Sequence, residues 1–329
     1  MCFGDGVVDT RDVPAVQRVL QDFSLLMVDA GELDSSRMAR HINWRWWRRF
    51  HGIRQQLTQL LLPLIADSQR RRGSPLRDSR AGGGGGIIRP YVDSLLDLQV
   101  PDHNDASIKR ALTDDEKVTL VWEFLDAGTE TVVSCVEWTL AHLVAQPHVQ
   151  KKLHCELSGT DNREGLRDLP YLRAVMLESL RMHPPVAFVE REVGTGCAAA
   201  IGATVPAHSS VMRFTVITGD VGRDGKAWMN PNEFRPDQFL AGGEGKCVGT
   251  IPGPKEIKMM PSGAGTRHCR EEGLGMMHVR CFLAALVRHF EWAPSGKAGY
   301  VIDLTEQIGF VMHMRTPLRV QITPRTSAS

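Results

Sequence analysis

Residues Lys258 to Phe290 read KMMPSGAGTRHCREEGLGMMHVRCFLAALVRHF, a glycine-rich loop that ends in a cysteine and leads into a helical pattern. Gly263 and Gly265 allow the backbone to take positive φ and to approach a bulky group closely. After the loop, apolar residues recur every three or four positions from Met276 to Phe290. This spacing predicts a helix with one apolar face that begins one or two residues after Cys269.

The position of Cys269 favours a thiolate. A thiol at a helix N-terminus lies near the positive end of the helix dipole and near free backbone N–H groups. Arg267 and Arg270 add positive charge on either side of it. A thiolate is a nucleophile or a metal ligand. Other interpretations stay open, because glycine-rich loops before helices also bind phosphate and a lone cysteine is commonly a buried apolar side chain.

The loop resembles the haem-binding loop of cytochrome P450 enzymes, whose pattern is Phe-x-x-Gly-x-Arg-x-Cys-x-Gly. Gly265, Arg267 and Cys269 match this pattern. Ser262 replaces the Phe, and Glu271 replaces the last Gly. The resemblance implies that the cofactor is haem b (iron protoporphyrin IX), that Gly265 and Arg267 help to bind it, and that Cys269 is the axial ligand of its iron.

Composition excludes several classes of protein. With 329 residues, of which 42% are hydrophobic, the chain can bury a sizeable core. Lys and Arg (39) nearly balance Asp and Glu (38), so no overall field favours nucleic acid. Seven cysteines without a Cys-x-x-Cys pair argue against a disulfide framework and favour a reducing compartment. No apolar run approaches the roughly 20 residues that span a bilayer, and we expect neither a signal peptide nor a membrane anchor in this sequence.

The first part of the chain is predicted to be mostly helical from Val13 to about Ala66. Within it, Asn43 to Phe50 mixes arginines and tryptophans, a combination that suits nucleic acid, a membrane surface, or an amphipathic helix whose tryptophans pack inward. We favour the amphipathic helix. Residues 70–86 form a basic run that ends in five glycines and are predicted to be a flexible surface loop. A short helix is expected from Tyr91 to Leu98.

A long helix is predicted over residues 113–144. Thr113 and Glu116 have the spacing of a capping box at its start. Gly128 lies in the interior, where glycine costs about 1 kcal/mol relative to alanine. The cost is explained if a flat ligand lies close to the backbone there, although glycine is also tolerated in ordinary core helices.

The run from Ala127 to Thr131, Ala-Gly-Thr-Glu-Thr, resembles the oxygen-activating helix of the same family. In that helix an acid followed by an alcohol delivers protons to dioxygen. The resemblance implies that Glu130 and Thr131 are catalytic and that Ala127 and Gly128 contact the haem. Val132 stands where many members have a second Thr or Ser.

Two further motifs resemble structural parts of the family. A helix predicted to end at Met182 carries Glu178 and Arg181 and is followed by His-Pro-Pro, as in the Glu-x-x-Arg motif. Alone, this spacing usually means a surface ion pair. The family buries the pair behind the haem, together with an Arg from a later segment. In the matching segment, Trp228 to Phe239, Gln238 replaces that Arg, and Gln can donate a hydrogen bond but lacks the charge and the fork geometry.

Four motifs in the family's order predict a mainly α fold with a small β part, a cytochrome P450 fold lacking roughly its N-terminal third. A few short strands are expected between Val189 and Thr218. The chain, residues 1–329, is predicted to be a single partial cytochrome P450 domain. Residues 113–144 would be its oxygen-activating helix, and residues 258–290 its haem-thiolate loop and following helix.

The resemblance, closest to plant microsomal members of the A type, implies a haem-thiolate monooxygenase that oxidises an apolar organic substrate with O2. Electrons would come from NADPH through NADPH-cytochrome P450 reductase, docked near Arg267, Arg270 and Arg280. Nucleic acid is not expected as a partner. The family's location is the cytosolic face of the endoplasmic reticulum membrane, and with the anchor absent from this chain the alternative is a soluble cytoplasmic protein.

Two other functions remain open at this point. A non-catalytic truncated remnant or interaction protein without haem is favoured by the truncation and by the changes at Ser262, Glu271 and Gln238. A phosphate binder or cysteine hydrolase is disfavoured, because the loop lacks the Lys-Ser/Thr ending of a phosphate loop and no matched His partner follows a known pattern.

Overall fold

The chain is mainly helical, with short strands. The computed structural model describes residues 2–3, 13–30, 43–72, 89–102, 105, 107–159, 165–194, 211–253, 256–296 and 301–325. In this part of the chain the helices are α1 (Val13–Ala30), α2 (Trp44–Arg72), α3 (Tyr91–Asp97), α4 (Asp114–Ala145), α5 (Pro147–Ser158), α6 (Pro170–Met182), α7 (Thr218–Gly222) and α8 (Glu272–His289). The strands are β1 (Gln99–Pro101), β2 (Lys109–Ala111), β3 (Phe188–Gly194), β4 (Val211–Ile217), β5 (Phe290–Pro294), β6 (Glu306–Gln307), β7 (His313–Met314) and β8 (Val320–Pro324). Of the predicted loop at residues 70–86, residues 70–72 form the end of α2, and residues 73–86 lie outside the described residues.

The chain divides into two compact units, residues 1–129 and 130–329, and the boundary falls inside α4. In the first unit, a stripe of apolar residues with a spacing of four runs along one face of α2. This stripe shares a hydrophobic core with α1, because residues four apart on a helix point in the same direction. The core contains Val19, Phe23 and Leu26 of α1 and Ile53, Leu57, Leu61 and Ile65 of α2.

The aromatic and basic cluster at the start of α2 packs inward only in part. Trp46 donates its indole N–H to the carbonyl of Leu26 at 3.1 Å, and its ring stacks on Phe50. Both rings lie against the core of the first unit. Trp44, however, is 53% exposed. The predicted inward packing is therefore confirmed for Trp46 and wrong for Trp44.

The start of α4 has the predicted capping box. The N–H of Thr113 donates to the Glu116 carboxylate at 2.8 Å, and the N–H of Glu116 donates to Thr113 Oγ1 at 3.3 Å. Arg110 donates two further bonds to the same carboxylate, each 2.7 Å long. The bonds from the N–H groups of Thr113 and Glu116 satisfy backbone donors that a helix N-terminus otherwise leaves free. The helix runs from Asp114 to Ala145, close to the predicted 113–144.

In the second unit, α6 is buried along almost its whole length. Its N-terminus receives the Glu156 carboxylate, which accepts the N–H groups of Tyr171 and Leu172 at 2.8 Å each. Its C-terminus is capped by His183 of the His-Pro-Pro motif, as the sequence predicts. Helices α4, α5 and α8 contribute to the core around it: Val132, Cys135 and Leu143 of α4, Val149, Leu153 and Leu157 of α5, and Val279, Leu283 and Val287 of α8.

The strands form two-stranded antiparallel sheets, β1 with β2, β3 with β4, β5 with β8, and β6 with β7. The expected strands between positions 189 and 218 are β3 and β4, which pair from Phe188 opposite Ile217 to Gly194 opposite Val211. Strand β5 follows α8 directly and pairs with β8 near the end of the described chain. Among the residues described, no helix has the length and apolar character needed to cross a membrane.

Candidate functional site

The segment that enters the Cys269 loop is anchored in the second unit. Trp228 is buried and donates its indole N–H to the carbonyl of Lys258 at 2.9 Å. The next residue, Met259, is buried with Trp228, Phe239 and Leu177 of α6 in a small apolar cluster. The loop therefore begins from a fixed point on the core.

The loop then folds back on itself at two glycines. Gly263 has a φ of 72° and Gly265 has a φ of 70°, a region that other residues rarely adopt. The N–H of Gly263 donates to the carbonyl of Met260 at 3.0 Å, and the N–H of Cys269 donates to the carbonyl of Ser262 at 2.8 Å. The prediction that Gly263 and Gly265 take positive φ is confirmed.

Cys269 is exposed at the end of this loop. Helix α8 begins at Glu272, with Glu271 as its N-cap residue, so the cysteine precedes the first helical residue by three positions. The sequence predicts a distance of one or two. The difference arises because residues 270 and 271 form a turn before the helix. Arg267 ends a short 3-10 turn, Gly265–Arg267, and its side chain is also exposed.

The other described cysteines differ from Cys269 in burial or in position. Burial raises the pKa of Cys2 and that of Cys135 to about 12, so both remain protonated thiols. Exposed thiols lie on helix α5, in a turn and within α8: Cys155, Cys247 and Cys281. Within the described part of the chain, only Cys269 follows a loop with glycines at positive φ and precedes a helix.

The predicted oxygen-activating residues lie in the middle of α4. Ala127 and Gly128 are exposed, and a Cβ built on Gly128 would meet no atom within 4 Å. Glu130 and Thr131 are half-buried. The unit boundary places Ala127 and Gly128 in the first unit, and Glu130 and Thr131 in the second unit with Cys269. Within the described residues, the surface of α4 at Gly128 is therefore open.

The structure brings Glu178, Arg181 and Gln238 together in one buried network. Arg181 donates from Nε and Nη2 to the two carboxylate oxygens of Glu178, at 2.8 Å each, and both side chains are fully buried. Gln238 Nε2 donates to the same carboxylate at 2.6 Å, as does the N–H of Arg235. The expectation of a buried pair, not a surface pair, is confirmed.

The amide oxygen of Gln238 is not satisfied in the way that its Nε2 group is. Among the described residues, its Oε1 atom is buried and has no hydrogen-bond partner. A buried acceptor without a hydrogen bond costs about 1–3 kcal/mol. An Arg at this position would present N–H groups only and would leave no such acceptor. The sequence predicts the loss of charge and fork geometry at Gln238, and the unpaired acceptor is an additional defect that it does not predict.

A second buried network was missed by the sequence interpretation. His183 Nδ1 donates to Glu306 at 2.7 Å, and its Nε2 lies 2.9 Å from Nε2 of His142 on α4. Arg223 donates to Glu306 at 2.5 Å. His183 stacks on Trp138, with ring centroids 3.8 Å apart. The His-Pro-Pro motif marks His183, but no local signal marks its partners, which lie far away in sequence.

Burial and hydrogen bonding fix the charges of this network. Burial, reinforced by His183, lowers the pKa of His142 to about 3. Burial also lowers the pKa of His183, although its bond to Glu306 acts in the opposite direction. Burial alone would raise the pKa of Glu306, but the bonds from His183 and Arg223 outweigh it and lower that pKa to about 2. Neutral His183 therefore accepts at Nε2 the hydrogen bond that His142 Nε2–H donates.

Comparisons with known proteins agree with the motifs. The family model of cytochrome P450 matches residues 1–320. The chain belongs to the cytochrome P450 family. It is 33% identical to cytochrome P450 89A9 of Arabidopsis thaliana over 99% of this chain and 62% of that protein. It is 36% identical to cytochrome P450 98A1 of Sorghum bicolor over 73% of this chain and 45% of that protein. The predicted relationship to plant cytochromes P450 is confirmed, and the chain spans less than two thirds of these relatives.

The cytochrome P450 fold is confirmed by a solved structure. A zebra fish cytochrome P450 determined with progesterone superposes with a TM-score of 0.67 and 21% sequence identity, over 96% of this chain and 65% of that chain. At this identity the likeness concerns the fold alone.

The residues of the loop fit the cofactor of the cytochrome P450 family, a haem whose iron is held by one cysteine thiolate. The fit rests on an exposed Cys269, on glycines whose conformation lets a bulky group approach, and on the open space next to Gly265. In the described part of the chain, no group of three or more His, Cys, Asp or Glu residues is arranged to hold a metal ion. A single axial thiolate does not need such a group.

Proposed function

We propose that this chain provides the haem-thiolate centre of a cytochrome P450 monooxygenase, with haem b as cofactor and Cys269 as the axial ligand of its iron. The observation that carries the proposal is the loop geometry: Cys269 is exposed, its N–H is tied back to Ser262, and α8 follows. Gly265 and Arg267 lie in the same loop and would contact the cofactor.

Each of the site residues of this chain would have its own role in the reaction. Haem, when bound, supplies one-electron and dioxygen chemistry, and a thiolate ligand favours O–O cleavage. Cys269 would bind as a thiolate through Sγ. Ala127 and Gly128 offer exposed helix backbone on which a flat group can lie. Thr131 would donate a proton from Oγ1, and the Glu130 carboxyl group would replace it from solvent.

Substrate and partners follow from the family and are part of the proposal. The substrate would be an apolar organic molecule that receives one oxygen atom from O2. Electrons would come from NADPH through NADPH-cytochrome P450 reductase. Its docking face would carry negative charge that complements the exposed Arg267 and Arg270 and the half-buried Arg280. The proposed place of action, by resemblance to plant members of the family, is the cytosolic face of the endoplasmic reticulum membrane.

The test is the absorption spectrum of the full chain, loaded with haem, reduced and treated with carbon monoxide. A haem held by a thiolate gives a strongly red-shifted Soret band. Cys269→Ser should abolish this band, whereas Cys281→Ser, which changes another exposed thiol beyond the loop, should retain it. A band that survives Cys269→Ser, or that disappears with Cys281→Ser, would refute the ligand assignment. Absence of the band from the unmodified chain would favour a non-catalytic protein without haem.

A further inference from the structure

Thr250 contacts both ends of the Cys269 loop. Its hydroxyl donates to Oε1 of Glu272, the first residue of α8, at 2.5 Å. Its carbonyl accepts the N–H of Ser262, at the loop entry, at 3.2 Å. Ser262 in turn accepts the N–H of Cys269 at 2.8 Å. One buried residue outside the loop therefore holds both the entry and the exit.

The hydrogen bond between Thr250 and Glu272 belongs to the charge-assisted class. Its acceptor is a carboxylate, its donor hydroxyl belongs to a buried residue, and charge-assisted hydrogen bonds are about twice as strong as neutral ones. The carboxylate also lies in the first turn of α8, where the helix dipole favours negative charge.

In the described part of the chain, side-chain capping does not hold this end of α8. Glu271 is the N-cap residue and makes no side-chain cap bond. Glu is also a poor choice for the cap compared with Ser, Thr, Asp or Asn. The start of α8 is bonded through Glu272 to the buried Thr250. The loop before it turns at Gly263 and Gly265, which have little conformational stiffness of their own.

We propose that Thr250 is a positioning residue for Cys269. Through the Glu272 carboxylate and the Ser262 N–H, it fixes the span of the loop and thereby the direction in which the Cys269 thiol points. This inference rests on the proposed function, in which Cys269 binds haem. It predicts that removal of one hydroxyl group, 19 residues before the cysteine, loosens the loop and weakens the hold of the thiolate on the cofactor.

The first test needs no haem. Hydrogen exchange of the full chain is measured for the amides from Ser262 to Glu272 in the unmodified chain and in Thr250→Val, which keeps the side-chain shape and removes the donor. Loss of a hydrogen bond to a charged group corresponds to roughly tenfold faster exchange at the Cys269 amide. Thr250→Ser should restore the original rate. Thr305→Val is the matched control, since its hydroxyl also donates to a carboxylate at 2.5 Å but at an exposed turn. Thr305→Val should leave the exchange rates of the loop amides unchanged.

The second test is spectroscopic and separates positioning from stability in general. In the haem-loaded chain, the time for which the red-shifted Soret band persists (its lifetime) should be roughly tenfold shorter in Thr250→Val than in the unmodified chain. Thr250→Ser should restore the original lifetime. Glu272→Met removes the acceptor of this bond at a half-buried position and should have the same effect. The double variant should show little further loss, because both changes remove the same bond. If Thr250→Val fails to fold, Glu272→Met tests the same bond.

The outcomes distinguish this inference from the proposed function. Unchanged exchange in both Thr250→Val and Glu272→Met would overturn the inference, as would faster exchange with an unchanged lifetime of the Soret band. Additive effects in the double variant would overturn it too, because the two side chains would then act separately. If the unmodified chain shows no red-shifted band, the proposed function fails and the positioning role fails with it.

Discussion

Arg181→Met should destabilise the chain far more than a single side-chain change usually does. Arg181 donates two bonds to Glu178 and three to backbone carbonyls, those of Gly222 and Pro231 at 2.8 Å and that of Glu233 at 3.1 Å. Methionine fills similar volume but makes none of these bonds. It leaves the Glu178 charge buried without a counter-charge, a change that costs about 3–5 kcal/mol. A typical domain has a total margin of about 5–15 kcal/mol.

The measurement is urea unfolding of the full chain, followed by far-UV circular dichroism and extrapolated to water. Arg71→Met is the matched control, because Arg71 pairs with Asp67 at 2.8 Å, one helical turn away on the exposed side of α2. Exposed pairs of this spacing contribute about 0.3–0.5 kcal/mol. The two variants should therefore differ by about 3 kcal/mol or more. Equal losses in both would refute the reasoning.

Three further outcomes are expected. Because His142 and His183 have lowered pKa values in the folded chain, the unfolded chain binds more protons below about pH 6.5, so stability present above that pH is lost on acidification. Unfolding measured between pH 7 and 5 should show a slope of up to about 1.4 kcal/mol per pH unit from His142, with a further contribution of the same sign from His183. His142→Phe should remove the first contribution, and an unchanged slope would contradict the assignment. Gly128→Ala should stabilise the haem-free chain by up to about 1 kcal/mol, since its Cβ meets open space, and should weaken haem binding in a titration; unchanged haem affinity would mean that the cofactor does not approach Gly128. Thr131→Ala should divert electrons to peroxide during turnover at constant haem content, and Thr131→Ser should not; equal peroxide yields in all three chains would assign proton delivery to water.

Elements with strong local signals could be predicted from the sequence. Helix α4 begins within one residue of its predicted start because Thr113 and Glu116 make both bonds of the capping box. Helix α6 ends where His-Pro-Pro follows, since the residue before a proline is disfavoured in the helical conformation. The two loop glycines at positive φ are likewise a local property of the chain.

Elements that depend on distant partners could not be predicted in this way. Strands β5 and β8 pair Phe290 with Pro324, and short strands joined by a long connection give little local pattern. His142 meets His183 from another helix for the same reason. Helix α5 is a different case, because Pro147 at its first position is a recognised start signal that the sequence interpretation did not use.

The three carbonyl bonds of Arg181 have a consequence for local opening. Gly222 ends the short helix α7, and Pro231 and Glu233 lie in the turns that follow it. A segment of this form would be expected to fluctuate independently of the core. The segment cannot move away from α6 without stranding a guanidinium group in the interior. Its amides should therefore open in the same cooperative event as those of α6, so that a stretch with the outward form of a loop has the thermodynamic behaviour of a core helix.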